Sequence, residues 1–170
     1  MTHLQLHKLL YYVQGWSMGL RGEPIFEDPI EAWKYGPVVK GVFPYFSSYG
    51  DAPITDWELS TAVELSKDDR FFIKLVWESY KRFSALGLCE KTHGEPPWKN
   101  ARGDLKPYES SSAEITLEAL REFFSQQGSE RPDAAFKAMP NWSTSQDAAF
   151  VEAAQEVFAK YAKLLQRLAS

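Results

Sequence analysis

The sequence predicts a mainly α fold: a compact helical domain with irregular connecting loops and a long C-terminal helix. Three observations carry that prediction. Apolar residues recur at three- and four-residue steps in several separate stretches. Capping side chains stand just ahead of them, at Thr2, Ser66 and Thr116. Glycines and prolines punctuate the chain between them, at Gly22 and Pro24, Gly36-Pro37 and Pro96-Pro97. The chain has 170 residues, 44% of them hydrophobic, which is enough for one domain with a sizeable core.

The elements follow in order. Residues 2–20 read as a helix. Thr2 and Gln5 have capping-box spacing, and Leu6, Leu9, Leu10, Val13 and Trp16 form the apolar face, widened by Tyr11 and Tyr12. Gly15 sits inside this pattern at a cost of about 1 kcal/mol against alanine, so close packing of another backbone is expected there. His3 and His7 share a face; without a third ligand they read as solvated or partly covered residues rather than a metal site. After the turn at 21–24, Ile30, Ala32 and Trp33 suit a brief extended segment or a bend.

Residues 31–43 form an aromatic, Gly-Pro corner about which the chain is organised. Gly36 relaxes the backbone, and Pro37 suits the first position of a helix carrying Val38, Val39, Val42, Phe43 and Phe46. Pro44 should end or kink it. Trp57, Leu59 and Val63 anchor a connector at 54–66. Residues 67–86 read as one helix, capped by Ser66 and stopped at Gly87, with Phe71, Phe72, Leu75, Val76, Tyr80, Phe83 and Leu86 on its apolar face. A further helical turn from Leu88 should break at Pro96-Pro97, before a polar loop at 101–113. Another helix begins at Thr116, with Ile115 stapled onto Leu120 and with Leu117, Leu120, Phe123 and Phe124 facing the core. A connection at 128–145 leads to the final helix at 146–169. Its apolar stripe suits packing across the same domain, with a homodimer seam as the alternative.

Composition narrows the function. No stretch approaches 18 apolar residues, so no membrane span is expected. The start has no basic region followed by an apolar run and cleavage site, so no leader is expected. A single cysteine, Cys89, forbids an internal disulfide and suits a reducing cytoplasm. The formal net charge of -4 argues against a broad nucleic-acid surface, although Lys99, Arg102 and Lys106 lie near Trp98 and Tyr108. Acidic stretches at 27–31 and 58–69 read as solvated surface. No phosphate loop, metal signature or serine elbow is present, and no cofactor or metal is expected. Cys89 and His93 have the spacing of a nucleophile pair, but no orienting group or oxyanion pocket is visible; a buried spectator thiol fits better.

Two segments resemble the Panacea domain family of SocA-like antitoxins. The first runs Leu6-His7-Lys8-Leu9-Leu10-Tyr11-Tyr12-Val13-Gln14-Gly15-Trp16, then Pro24, Ile25-Phe26 and Ile30-Glu31-Ala32-Trp33-Lys34-Tyr35-Gly36-Pro37-Val38. The second is Leu88 with Thr92-His93-Gly94-Glu95-Pro96-Pro97-Trp98-Lys99-Asn100-Ala101-Arg102. Ile115-Thr116 and Phe123-Phe124 fit the same rhythm, so the resemblance spans roughly residues 4–127. It implies a non-enzymatic cytoplasmic antitoxin that binds a cognate protein toxin, with delivery to a AAA+ protease described for some members. A DNA-binding regulator of its own operon, or a Cys/His hydrolase, is the alternative. The implied division is a helical domain at 1–128 and a linker plus C-terminal helix at 129–170. Relatives usually carry a helical segment ahead of the one matching Thr2–Trp16. Without it, Leu4, Leu6, Leu10 and Tyr11 are expected to be less well buried.

The toxin-binding residues expected on this reading are Trp33, Tyr35, His93, Glu95, Trp98, Lys99 and Arg102, with Gly36 and Pro37 as the structural corner. His93 and Glu95 suit a pair, and Arg102 suits a carboxylate. Trp98→Ala is expected to weaken binding with the fold intact. The corner and the 92–102 loop are expected to lie together, with Trp33 and Tyr35 buttressing the loop.

Overall fold

A computed structural model describes residues 1–55, 65–106 and 108–127. The expected connector anchors Trp57, Leu59 and Val63, the 128–145 connection and the C-terminal helix lie outside the described residues. The described chain is mainly α, with six α-helices, one 3-10 turn and a two-stranded sheet.

Helix α1 (His3–Leu20) is the centre of the fold. It starts at the expected capping box: Thr2 Oγ1 accepts from the Gln5 N–H at 3.2 Å, and Gln5 Oε1 accepts from the Thr2 N–H at 3.1 Å. From His7 onward every residue except Leu10 is buried. Such a helix is covered on all sides; α3 (Lys67–Tyr80), α4 (Ala85–Gly94), α6 (Leu117–Gln126) and a hairpin of β1 (Ile30–Trp33) and β2 (Gly36–Val39) pack around it. Tyr11 is wholly buried, against expectation, while Leu4, Leu6 and Leu10 are half-buried. A Cβ on Gly15 would overlap the Phe124 ring, so the close neighbour is a side chain of α6 rather than another backbone. Tyr11, Tyr12 and Trp16 all meet that ring edge-on, the Trp16 centroid at 5.1 Å.

The corner is a hairpin, not the start of a helix. Strands β1 (Ile30–Trp33) and β2 (Gly36–Val39) pair antiparallel, with Ile30 opposite Val39 and Trp33 opposite Gly36. Gly36 has φ +96°, which reverses the chain after Lys34-Tyr35. Pro37 therefore sits inside β2, opposite Ala32. The valine spacing that suggested a helix suits a short buried strand equally well. Residues 113–115 close the other edge of β1: the Ala32 N–H donates to Ala113 O at 2.8 Å and the Ile115 N–H to Ile30 O at 2.7 Å. After β2, Pro44 falls in the first turn of α2 (Phe43–Phe46), where its missing N–H costs nothing. A 3-10 turn at Ser47–Tyr49 follows.

The expected helix at 67–86 is two helices. α3 (Lys67–Tyr80) is capped by Ser66, and α4 (Ala85–Gly94) by Ser84, whose hydroxyl accepts from the Gly87 N–H at 3.1 Å. Gly87 is thus in a first turn rather than at a stop. The new cap resets the helical phase, which leaves Leu86 72% exposed instead of in the core. Pro96-Pro97 likewise start a helix, α5 (Pro96–Arg102). α6 (Leu117–Gln126) is capped by Thr116 as expected and buries Leu120 and Phe124; Leu117, its first residue, is exposed.

Candidate interaction site

The corner is held by side chains from α4 and α5. The Trp98 indole N–H donates to Trp33 O at 3.0 Å. Arg102 Nη1 donates to Ala32 O at 3.1 Å, and its Nη2 donates to Lys106 O at 2.9 Å and Glu109 O at 2.6 Å. The Cys89 thiol donates to Tyr35 O at 3.1 Å. Three residues of the hairpin, Ala32, Trp33 and Tyr35, thus offer carbonyls to the two helices. The His93 ring stacks on Trp98 with centroids 4.0 Å apart, and the Arg102 guanidinium lies 4.8 Å from the Trp98 ring centroid. At the outer edge, Glu31 accepts from Trp33 Nε1 at 2.7 Å and pairs with Lys40 at 2.8 Å. Lys40, then Trp33, hold the Glu31 carboxyl below the usual range.

A second, buried layer ties the corner to α1. Lys8 is fully buried and donates to Pro37 O at 2.9 Å. Burial lowers its pKa to about 8. A Cβ on Gly36 would stand 2.5 Å from Lys8 Cε and 2.9 Å from Thr92 Oγ1, so the glycine is required by space as well as by φ. His7 Nδ1 accepts from the Val39 N–H at 3.2 Å. Burial first, then Lys8, depresses the His7 pKa to about 3, so the ring is neutral. Gln14 fastens the preceding loop, accepting from the Ile25 N–H at 2.9 Å and donating to Phe26 O at 2.7 Å.

Glu95 joins α4 to α5 and faces α1. Its two carboxylate oxygens accept from Tyr11 Oη at 2.8 Å and Tyr12 Oη at 2.9 Å. Burial raises its pKa to about 7, against the lowering effect of the tyrosine hydrogen bonds. Burial and the neighbouring Glu95 push both tyrosine hydroxyls far up, so both remain proton donors.

The corner and the 92–102 segment do lie together. The seven expected contact residues divide by exposure. Tyr35, at the hairpin turn, is 62% exposed, and Lys99 is exposed on α5. Trp33 and His93 are half-buried. Glu95, Trp98 and Arg102 are buried. Glu95 takes tyrosine hydroxyls rather than His93, and Arg102 takes backbone carbonyls rather than a carboxylate. The buried polar residues His7, Lys8 and Gln14, and the joining of Tyr11 and Tyr12 to Glu95, were not read from the sequence. A lysine and a glutamine at core-facing steps of an apolar helix are the signal that could have found them.

Nucleophilic chemistry finds little support at Cys89. Burial raises its pKa, and its thiol proton is donated to a carbonyl. His93 stacks on Trp98 instead of approaching as a base. Among the described residues, no group of three His, Cys, Asp or Glu side chains could hold a metal ion, and no helix is long and apolar enough to cross a membrane.

The family model described as "Antitoxin SocA-like, Panacea domain" matches residues 6–99, which run from α1 through the hairpin to Trp98 and Lys99. The chain belongs to this family. Antitoxin SocA of Caulobacter vibrioides (strain NA1000 / CB15N) is 41% identical over 49 residues, which cover 29% of this chain and 26% of that relative. The chain therefore aligns with about a quarter of the relative's length. No solved structure matches. The family is described by an antitoxin and not by an enzymatic activity. In this Panacea domain, the clamped corner and its α1 support all fall within the matched span, except Arg102 and the 113–115 edge.

Proposed function

We propose that this Panacea domain is an antitoxin that neutralises a cognate protein toxin by direct binding. The observation that carries the reading is the family match over residues 6–99, which takes in the whole hairpin and the Trp98–Trp33 contact. The proposed contact surface is centred on exposed Tyr35 and Lys99, with half-buried Trp33 and His93 beside them. Tyrosine contributes a large area with few rotamers to lose, and the clamp fixes its backbone in advance. Glu95, Trp98 and Arg102 serve this surface from beneath, as its supports.

In the same reading, the bound toxin is handed to a AAA+ protease, and the protein acts in the cytoplasm. Coexpression with the product of the adjacent open reading frame tests the proposal. Restored growth and a complex on size exclusion are expected; unrelieved toxicity with no complex overturns it. A toxin half-life that lengthens in protease-deficient cells supports the delivery step, and an unchanged half-life refutes it.

A further inference from the structure

A cavity of about 310 Å³ lies where α4 hands over to α5, open to solvent and bordered also by α1, α3 and α6. Trp16, Tyr80, Phe123 and Phe124 supply aromatic walls, and Glu95 and Lys91 line it too. The volume is at the lower end of ligand sites, which run from roughly 300 to 1,000 Å³. It suits one long side chain rather than a helix.

Glu95 decides the chemistry of the occupant. It is 8% exposed, and each carboxylate oxygen accepts one tyrosine hydrogen bond, at 2.8 and 2.9 Å. Each oxygen has capacity for a second. The tyrosines are neutral donors, so they orient the carboxylate without cancelling its charge. Burial accordingly dominates its titration and raises the pKa. Lys91 acts on Glu95 from an exposed position and forms no ion pair with it among the described residues.

We propose that this cavity receives a basic side chain, guanidinium or ammonium, projecting from a bound protein partner. The carboxylate offers a desolvated cation charge-assisted hydrogen bonds, and the aromatic lining gives the alkyl stem behind that cation an apolar surface to pack on. An apolar side chain would bury the carboxylate further and give nothing back. Lys91 opposes the entering charge from the rim and so weakens the site. That the partner is a toxin rests on the function proposed above; the chemistry of the pocket does not.

An NMR titration of the full chain at pH 8, above the Glu95 pKa, with N-acetyl-arginine methylamide tests this. Saturable shifts are expected at the Trp16 indole and at the amides of Gly94 and Glu95. The neutral isostere N-acetyl-citrulline methylamide should bind at least fivefold more weakly. Glu95→Gln should weaken arginine binding at least tenfold, and Lys91→Glu, on the exposed rim, should strengthen it about threefold. If Glu95→Gln does not fold, the citrulline comparison and Lys91→Glu decide. Equal binding of the two probes, no saturable shift, or unchanged affinity in Lys91→Glu overturns the proposal. No toxin is present in this titration, so its failure leaves neutralisation to the coexpression test, and a failed neutralisation leaves the cavity result standing.

Discussion

The Trp98 indole N–H donates to the carbonyl oxygen of Trp33 at 3.0 Å, joining residues 65 positions apart in the chain. This contact turns two separated sequence blocks into one rigid feature. It also gives Trp98 a structural duty, since the ring is 5% exposed and carries His93 and Arg102 on it.

Trp98→Ala should therefore cost the fold about 3–5 kcal/mol, the usual range for deleting a buried large ring. Trp98→Phe keeps most of the ring but loses the donor and should cost about 1 kcal/mol from the hydrogen bond. Urea unfolding of both variants checks this. A fully stable Trp98→Ala protein would restore the sequence-based view of Trp98 as a surface contact.

Gly36→Val should be more damaging than its size suggests. A φ of +96° strains any side chain by roughly 1–3 kcal/mol. Forcing the added atoms against Lys8 and Thr92 adds roughly 1–3 kcal/mol of overpacking. A circular dichroism melt superimposable on the parent's contradicts this account.

Two buried groups should give the domain opposing pH responses. His7 has a pKa of about 3 when folded, against the ordinary histidine value of 6.5. Below pH 6.5 the unfolded chain takes up a proton that the folded chain refuses, so this contribution to stability falls as pH drops from 6.5 towards 3. At pH 5 the loss is roughly 2 kcal/mol. Glu95 has a pKa of about 7 when folded, against the ordinary glutamate value of 4.5. Between these values the folded chain holds more protons, so its contribution falls as pH rises, by roughly 3 kcal/mol across the window. Glu95→Gln should leave the His7 slope exposed, with stability rising from pH 4.5 to 6.5. His7→Asn, whose amide oxygen can accept from Val39, should show the reverse slope. Unfolding curves at several pH values measure both, and parallel profiles in the two variants would refute the assignment.

The sequence was most legible where signals are local. The Thr2–Gln5 box, Ser66 and Thr116 each mark a helix start that the structure keeps. It was least legible where partners are distant. The β1–β2 hairpin depends on Lys8, on residues 113–115 and on the helix side chains that bind its carbonyls. None of these is visible in Val38-Val39 themselves. Ser84 does not stand out as a cap in the sequence, because the apolar spacing from Phe71 to Leu86 continues across it. The mixture at 93–102 looks like surface by composition. Arg102 is buried only because three backbone carbonyls receive it, and Glu95 only because Tyr11 and Tyr12 do. What the sequence does bring forward is the pairing of the corner with that segment.

The surface reading predicts a separation between binding and stability. Tyr35→Ala with Lys99→Glu alters two exposed side chains and should change stability by no more than about 0.5 kcal/mol for each, as surface substitutions generally do. Partner affinity should nonetheless fall at least tenfold, because a tyrosine anchor and a rim charge are both lost.

The most direct measurement is the affinity of the purified full chain for the coexpressed toxin, wild type against that double variant, with thermal melting alongside. The account predicts a complex with wild type, at least a tenfold loss in the variant and superimposable melts. A variant that binds and neutralises as well as wild type would contradict the placement of the toxin surface at Tyr35 and Lys99.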